Sequence, residues 1–141
     1  MASQTVAEVM TTDVLAVAVT DPVTMAAHLM RDHDIGDVIV TEGSIVRGMV
    51  TDRDLVIRVM AEGMDPNTTL TGHILSEPVV TVGAGSPAQE AVDAMRQYAV
   101  RRLPVVEANG ELVGVVTLGD LAMDRDSTSA LADISAAPPD H

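Results

Sequence analysis

Gly48-Met49-Val50-Thr51-Asp52-Arg53-Asp54-Leu55 is followed, 66 positions on, by Gly114-Val115-Val116-Thr117-Leu118-Gly119-Asp120-Leu121. Each octet reads as the end of a strand running into a helix, with Thr and Asp three residues apart. The match widens outward from the octets. Asp21-Pro22 corresponds to Ser86-Pro87 and Met30-Arg31 to Met95-Arg96, both at an offset of 65, and Val38-Ile39-Val40 to Leu103-Pro104-Val105. The offset grows by one in a loop, Glu42-Gly43-Ser44 against Glu107-Ala108-Asn109-Gly110, where length changes are tolerated. An ordered match over about fifty residues is an internal duplication, and it governs every later reading.

The 141 residues fit one compact domain. A single copy of about sixty residues would have a marginal core, so the copies are expected to bury apolar faces against each other. The chain is 47% hydrophobic but has no Phe or Trp and a single Tyr, Tyr98, so its core must be aliphatic, with nine Met available. The absence of Cys excludes disulfides, thiolate metal sites and cysteine nucleophiles. All eight basic residues are Arg, which excludes a P-loop, a Schiff base and a lysine general base. A net charge of −13 without a basic stripe opposes nucleic-acid binding. Met1-Ala2-Ser3-Gln4-Thr5 lacks the basic region of a signal peptide, and no stretch approaches the ~18 apolar residues of a spanning helix. A soluble, cytoplasmic protein that engages neither nucleic acid nor membrane is expected.

Along the chain, Val6 to Met10 reads as an entry helix and Val14 to Val19 as a strand. Asp21 reads as the cap of a helix with Pro22 at its first position, carrying Ala26, Leu29, Met30 and His33 at helical spacing. In the second copy Ser86-x-x-Gln89 reads as a capping box, followed by the stripe Ala88, Ala91, Val92 and Met95 to about Tyr98. Val38 to Thr41 and Ile45 to Val50 pair around Gly43-Ser44, and Leu103 to Val106 and Leu112 to Val116 around Asn109-Gly110. Helices follow over Asp52 to Met60 and Leu118 to Met123, and a second entry helix lies near Thr71 to Leu75. The expected fold class is α+β, with tandem β-α-β-β-α repeats. Repeat one spans 6–61, a linker 62–70, repeat two 71–124, and 125–141 is expected to be a disordered tail with a short amphipathic segment near Leu131 to Ile134.

Thr51-x-x-Asp54 and Thr117-x-x-Asp120 support two compatible readings. Thr caps the helix, and Asp three residues on accepts from the backbone. The same hydroxyl and exposed N–H groups also suit an anion, while the carboxylate can accept from vicinal sugar hydroxyls. Basic groups separate the copies. Arg101 and Arg102 precede the strand of copy two, whereas their counterparts are Gly36 and Asp37, and Arg53 is the only basic group near Asp37, Asp52 and Asp54. Copy two should therefore tolerate phosphate better.

These motifs, with Val100-Arg101-Arg102-Leu103-Pro104-Val105, resemble a pair of cystathionine-β-synthase-type domains, the CBS-domain pair, over roughly Val6 to Asp124. The connector Gly63-Met64-Asp65-Pro66 is similar to that of small stand-alone bacterial members, the hypoxia-response type included. The resemblance implies two β-α-β-β-α units about a pseudo-two-fold axis, with a cleft beside each Thr-x-x-Asp. It implies an adenosine-containing ligand (AMP, ADP, ATP or S-adenosylmethionine) and no other cofactor. Asp54 or Asp120 would hold the ribose hydroxyls, and Thr51 or Thr117 would lie toward phosphate with Arg53, Arg101 and Arg102. Residues entering the first strands, Thr12 to Val14 and Glu77 to Val79, would line the base pocket, and Leu103 and Pro104 complete the candidate set. Ile39 where copy two has Pro104, and Asp37, set copy one apart.

The resemblance further implies a homodimer and a non-catalytic regulatory or sensor role passed to a protein partner. The alternative is a ligand-free interaction or dimerisation module. His28 and His33, five apart, are poorly spaced for one helical face, so no metal site is expected. No nucleophile–base pair stands out, so no enzyme is expected.

Overall fold

Short runs of Val and Ile separated by Gly-containing turns favour paired strands, because β-branched side chains fit a pleated, half-buried surface. The computed structural model describes residues 4–76 and 79–124, so the expected tail and Glu77 lie outside the described residues. Within them, each copy folds as β-α-β-β-α. Copy one runs β1 (Ala16–Ala18), α2 (Val23–His33), β2 (Asp37–Glu42), β3 (Ile45–Thr51) and α3 (Asp52–Asp54), after a lead-in helix α1 (Val6–Val9). Copy two runs β4 (Val82–Gly83), α4 (Ala88–Tyr98), β5 (Arg102–Val106), β6 (Leu112–Thr117) and α5 (Leu118–Asp124), after a 3-10 turn over Thr71–His73.

Each copy forms one three-stranded sheet, in order β1-β2-β3 and β4-β5-β6. The first pair in each is parallel and the second antiparallel. The hairpin turns place Gly43 at φ +64° and Gly110 at φ +90°, backbone that glycine adopts without a Cβ penalty. The stripe Ala88, Ala91, Val92 and Met95 is buried as its spacing predicts. In α2 the buried residues are Val23, Ala26 and Met30, while His33 is exposed.

The chain divides into two compact units that do not follow the order of the sequence. One is Leu15–Val79; the other joins residues 4–14 to 80–124. The lead-in of copy one thus belongs with the sheet of copy two, and residues 69–76 stay with the sheet of copy one. The bonding is the same in both units at an offset of 65. Ala88 N–H donates to Gln4 C=O at 2.8 Å, and Val23 N–H to Thr69 C=O at 2.9 Å. Val6 N–H donates to Ser86 C=O at 2.8 Å, and Thr71 N–H to Asp21 C=O at 2.8 Å. Ala7 N–H reaches Ala84 C=O and Gly72 N–H reaches Val19 C=O, both at 2.9 Å.

These bonds correct the expected caps. The residue preceding α2 is Pro22 and that preceding α4 is Pro87, neither with a side-chain cap. Asp21 instead closes the turn after β1, its Oδ2 accepting from Ala18 N–H at 2.8 Å. The carbonyls of Thr69 and Gln4 satisfy the first helical donors that Asp21 and Ser86 were expected to meet. At the start of α1, Glu8 accepts from the Thr5 N–H at 2.7 Å and from its hydroxyl at 3.1 Å. Those bonds hold the exposed Glu8 carboxyl below its ordinary value.

The expected helix over Asp52 to Met60 is present but changes type. After α3 the chain widens into a π-helix over Leu55–Met60, with Ala61 N–H on Val56 C=O and Met64 N–H on Val59 C=O. Nothing in the local sequence marks this widening. Val56, Ile57 and Met60 on this segment are exposed.

Candidate functional site

Both Thr-x-x-Asp turns form reciprocal capping pairs. Asp54 N–H donates to Thr51 Oγ1 at 3.0 Å, and Thr51 N–H to Asp54 Oδ2 at 2.9 Å. Asp120 N–H donates to Thr117 Oγ1 at 3.1 Å, and Thr117 N–H to Asp120 Oδ2 at 3.0 Å. Each pair satisfies two helix-start donors and contributes about 1 kcal/mol to its helix. In each turn the backbone bond uses one carboxylate oxygen and leaves Oδ1 for other work.

The sheet register fixes what stands across from each Thr. Arg102 pairs with Thr117, and Asp37 pairs with Thr51. A backbone bond clamps the neighbouring residue to the turn in both copies: Leu118 N–H to Arg101 C=O at 2.8 Å and Asp52 N–H to Gly36 C=O at 2.9 Å. The half-buried Arg101 and Arg102 therefore sit at the Thr117 turn, and a carboxylate takes the Arg102 place at Thr51. The charge difference expected from the sequence is built into the strand pairing.

The crossed lead-ins complete each site. Thr11 bridges Val115 in both directions, at 2.8 and 2.9 Å, and Ser76 bridges Met49 at 2.8 and 3.3 Å. Close approach explains Gly114: a Cβ there would lie 2.5 Å from Met10 Sδ and 2.9 Å from Thr11 O. Thr11 Oγ1 lies 3.5 Å from Asp120 Oδ2. Ser76 Oγ donates to both oxygens of Asp54, at 3.2 and 3.1 Å, and Arg58 Nε lies 3.6 Å from Oδ1. Asp54 is 7% exposed, whereas Asp120 is half-buried and its Oδ1 has no hydrogen-bond partner among the described residues.

The structure groups the candidate residues by unit. Thr12, exposed, and Val14, half-buried, share a unit with Thr117, Asp120, Arg101 and Arg102. Val79, half-buried, shares a unit with Thr51, Asp54 and the exposed Arg53. The Arg53 backbone N–H donates to Asp52 Oδ1 at 2.8 Å. Leu103 is 1% exposed in the core with Met95, Val105 and Leu121, and Pro104 is also buried, so a ligand would meet their backbone rather than their side chains. Thr11, Ser76 and Arg58 lay outside the sequence reading. Hydroxyls at matched positions of the two lead-ins were the available signal for the first two. Among the described residues, no cluster of three or more His, Asp or Glu could hold a metal ion, and no helix is long and apolar enough to cross a membrane.

The model of the CBS domain family matches residues 6–61 and 72–124. An uncharacterised protein of Methanopyrus kandleri is 41% identical over 122 residues, 86% of this chain; the matched part spans 62% of that protein. A CBS domain-containing protein of Bacillus subtilis is 38% identical over 134 residues, covering 92% of this chain and 94% of its own length. Hypoxic response protein 1 of Mycobacterium tuberculosis is 39% identical over 119 residues, covering 84% and 82%. The crystal structure of Hypoxic Response Protein I with two coordinated zinc ions superposes with TM-score 0.75 at 36% identity, over 86% of this chain and 99% of that one. CBSX2 in complex with AMP superposes with TM-score 0.72 at 22% identity, over 85% and 94%.

Proposed function

This chain belongs to the CBS-domain family, and we propose that it is a non-catalytic regulatory module that binds an adenosine-containing ligand beside Asp120. The observation that carries this reading is the half-buried Asp120 carboxylate, held by Thr117 N–H through Oδ2 while Oδ1 remains for a ribose hydroxyl. Arg102, across the strand from Thr117, supplies positive charge for a phosphate in an otherwise acidic chain. The AMP complex of a structural relative supports the ligand class. The same reading assigns the protein to the cytoplasm, where adenine nucleotides are abundant. Asp54 and Asp120 spend their backbone-facing oxygens on capping, which suits a binding role rather than proton transfer.

A thermal-shift panel of AMP, ADP, ATP and S-adenosylmethionine tests this reading. A ligand at a hundredfold excess over its dissociation constant stabilises the fold by about 2.7 kcal/mol, enough for a clear rise in Tm. An unchanged Tm with all four, at millimolar ligand and low salt, overturns it.

A second reading, a homodimer that presents a protein-interaction surface, is favoured by Val56, Ile57 and Met60, exposed at 49, 47 and 74% on one helical turn. Neighbouring apolar side chains left in water favour association. Light scattering should give twice the chain mass, and Met60→Glu should return it toward the mass of one chain. A wild-type monomer at high concentration would dismiss this reading.

A further inference from the structure

We propose that Ser76, with Arg58, determines ligand stoichiometry by occupying the Asp54 carboxylate from within the chain, so that each chain takes one nucleoside, at Asp120. The inference rests on the nucleoside reading above and adds the residues that close the second site. Ser76 is fixed before its side chain is considered, because its N–H and C=O both bond Met49 on β3. That clamp presents the hydroxyl to both Asp54 oxygens, at 3.2 and 3.1 Å. Arg58, four residues on from Asp54, brings its Nε within 3.6 Å of Oδ1. With Thr51 N–H on Oδ2, each oxygen of Asp54 has two polar neighbours and 7% of the residue is exposed. Ser76 thus covers both of the oxygens that vicinal ribose hydroxyls would need. A nucleoside would have to displace Ser76 Oγ and reopen a buried carboxylate, giving up the shared Ser76 proton and the nearby Arg58 charge before it gains bonds of its own. In the other unit Thr11 occupies the matched position, but its hydroxyl reaches a single oxygen of Asp120, at 3.5 Å. Among the described residues, the same scaffold is closed in one unit and open in the other.

Two measurements test the proposal. The first needs no ligand. Carbodiimide-driven amine labelling with peptide mass mapping should modify Asp120 and spare Asp54 in the wild type. Asp54 should become reactive in Ser76→Ala, in Arg58→Ala and in the double variant, and stay protected in Ser76→Thr, which keeps the hydroxyl. Labelling of Asp54 as fast as Asp120 in the wild type overturns the proposal, as does an Asp54 that stays protected in every variant that folds. The second is calorimetric titration with AMP and ATP. One site per chain is expected in the wild type, lost in Asp120→Ala, with a second site gained in the double variant. Two sites in the wild type, or one site lost in Asp54→Ala, or no gain in a double variant whose Asp54 is reactive, overturns it. No binding to any of these proteins defeats the nucleoside reading instead, while the labelling pattern still decides whether Ser76 and Arg58 close Asp54.

Discussion

Replacing Asp120 with alanine is expected to weaken adenosine-nucleotide binding by about ten- to a hundredfold, the equivalent of losing hydrogen bonds to a charged acceptor. Asp54→Ala should leave the affinity within about twofold. The asymmetry follows from what each carboxylate already does. Asp54 is already engaged by Thr51, Ser76 and Arg58 in the proposed closed site, so its removal is expected to take nothing from a ligand. Asp120 gives Oδ2 to Thr117, and its Oδ1 has no hydrogen-bond partner among the described residues. Either change also leaves the Thr N–H without its carboxylate, at about 1 kcal/mol for Asp120 and more for the buried Asp54, which holds Ser76 as well, so affinity must be read by titration of folded protein rather than from Tm alone. Asp120→Asn separates the effects, since it keeps an oxygen for the Thr117 N–H but loses the charge. Comparable weakening by Asp54→Ala, or none by Asp120→Ala, would refute the assignment.

The second large effect concerns stability. Deleting residues 2–10 should cost on the order of 5 kcal/mol, comparable to the whole stability of a small domain. Val6 is fully buried in the core with Val82, Val92 and Leu121, and its burial contributes about 1.5–3 kcal/mol. The bonds of Gln4, Val6 and Ala7 to Ala88, Ser86 and Ala84 add about 1 kcal/mol each. The damage should appear far along the sequence: hydrogen exchange should rise across α4 and leave α2 protected. Urea unfolding measures the loss, and an unchanged midpoint would sink the prediction. Glu8 lies in the same segment. Its lowered folded pKa means that its contribution is complete above the carboxyl's unfolded value and fades as pH falls through the folded one.

Much of this architecture was legible because it is local. The octets announced the duplication, the four-residue Thr-x-x-Asp pattern announced two reciprocal caps, and the Ala88–Met95 stripe announced a buried helix face. Local rules failed where the partner was remote. Asp21 and Ser86 have the chemistry of helix caps, yet carbonyls from Thr69 and Gln4 reach those helices first. Leu103 read as part of a binding motif with Arg101 and Arg102, and its side chain lies in the core, buried together with its strand neighbours Pro104 and Val105. At the site, the charge contrast between Arg102 and Asp37 was visible, while its placement across from Thr117 and Thr51 needed the strand register. The matched hydroxyls of Thr11 and Ser76 were the only local hint of Ser76, because its partner is remote: Asp54 lies 22 positions away.

The crossed lead-ins bear on how such chains can be recombined. A hybrid joined within the connector, where the sequence copies part, would give each sheet a lead-in from the other parent. Gly114 would then face an unfamiliar side chain in place of Met10, and Asp54 an unfamiliar residue in place of Ser76. The junctions that respect the fold lie between Val14 and Leu15 and between Val79 and Val80. A graft of Leu15–Val79 carries its turn, its carboxylate and its closing serine as one inheritable cassette.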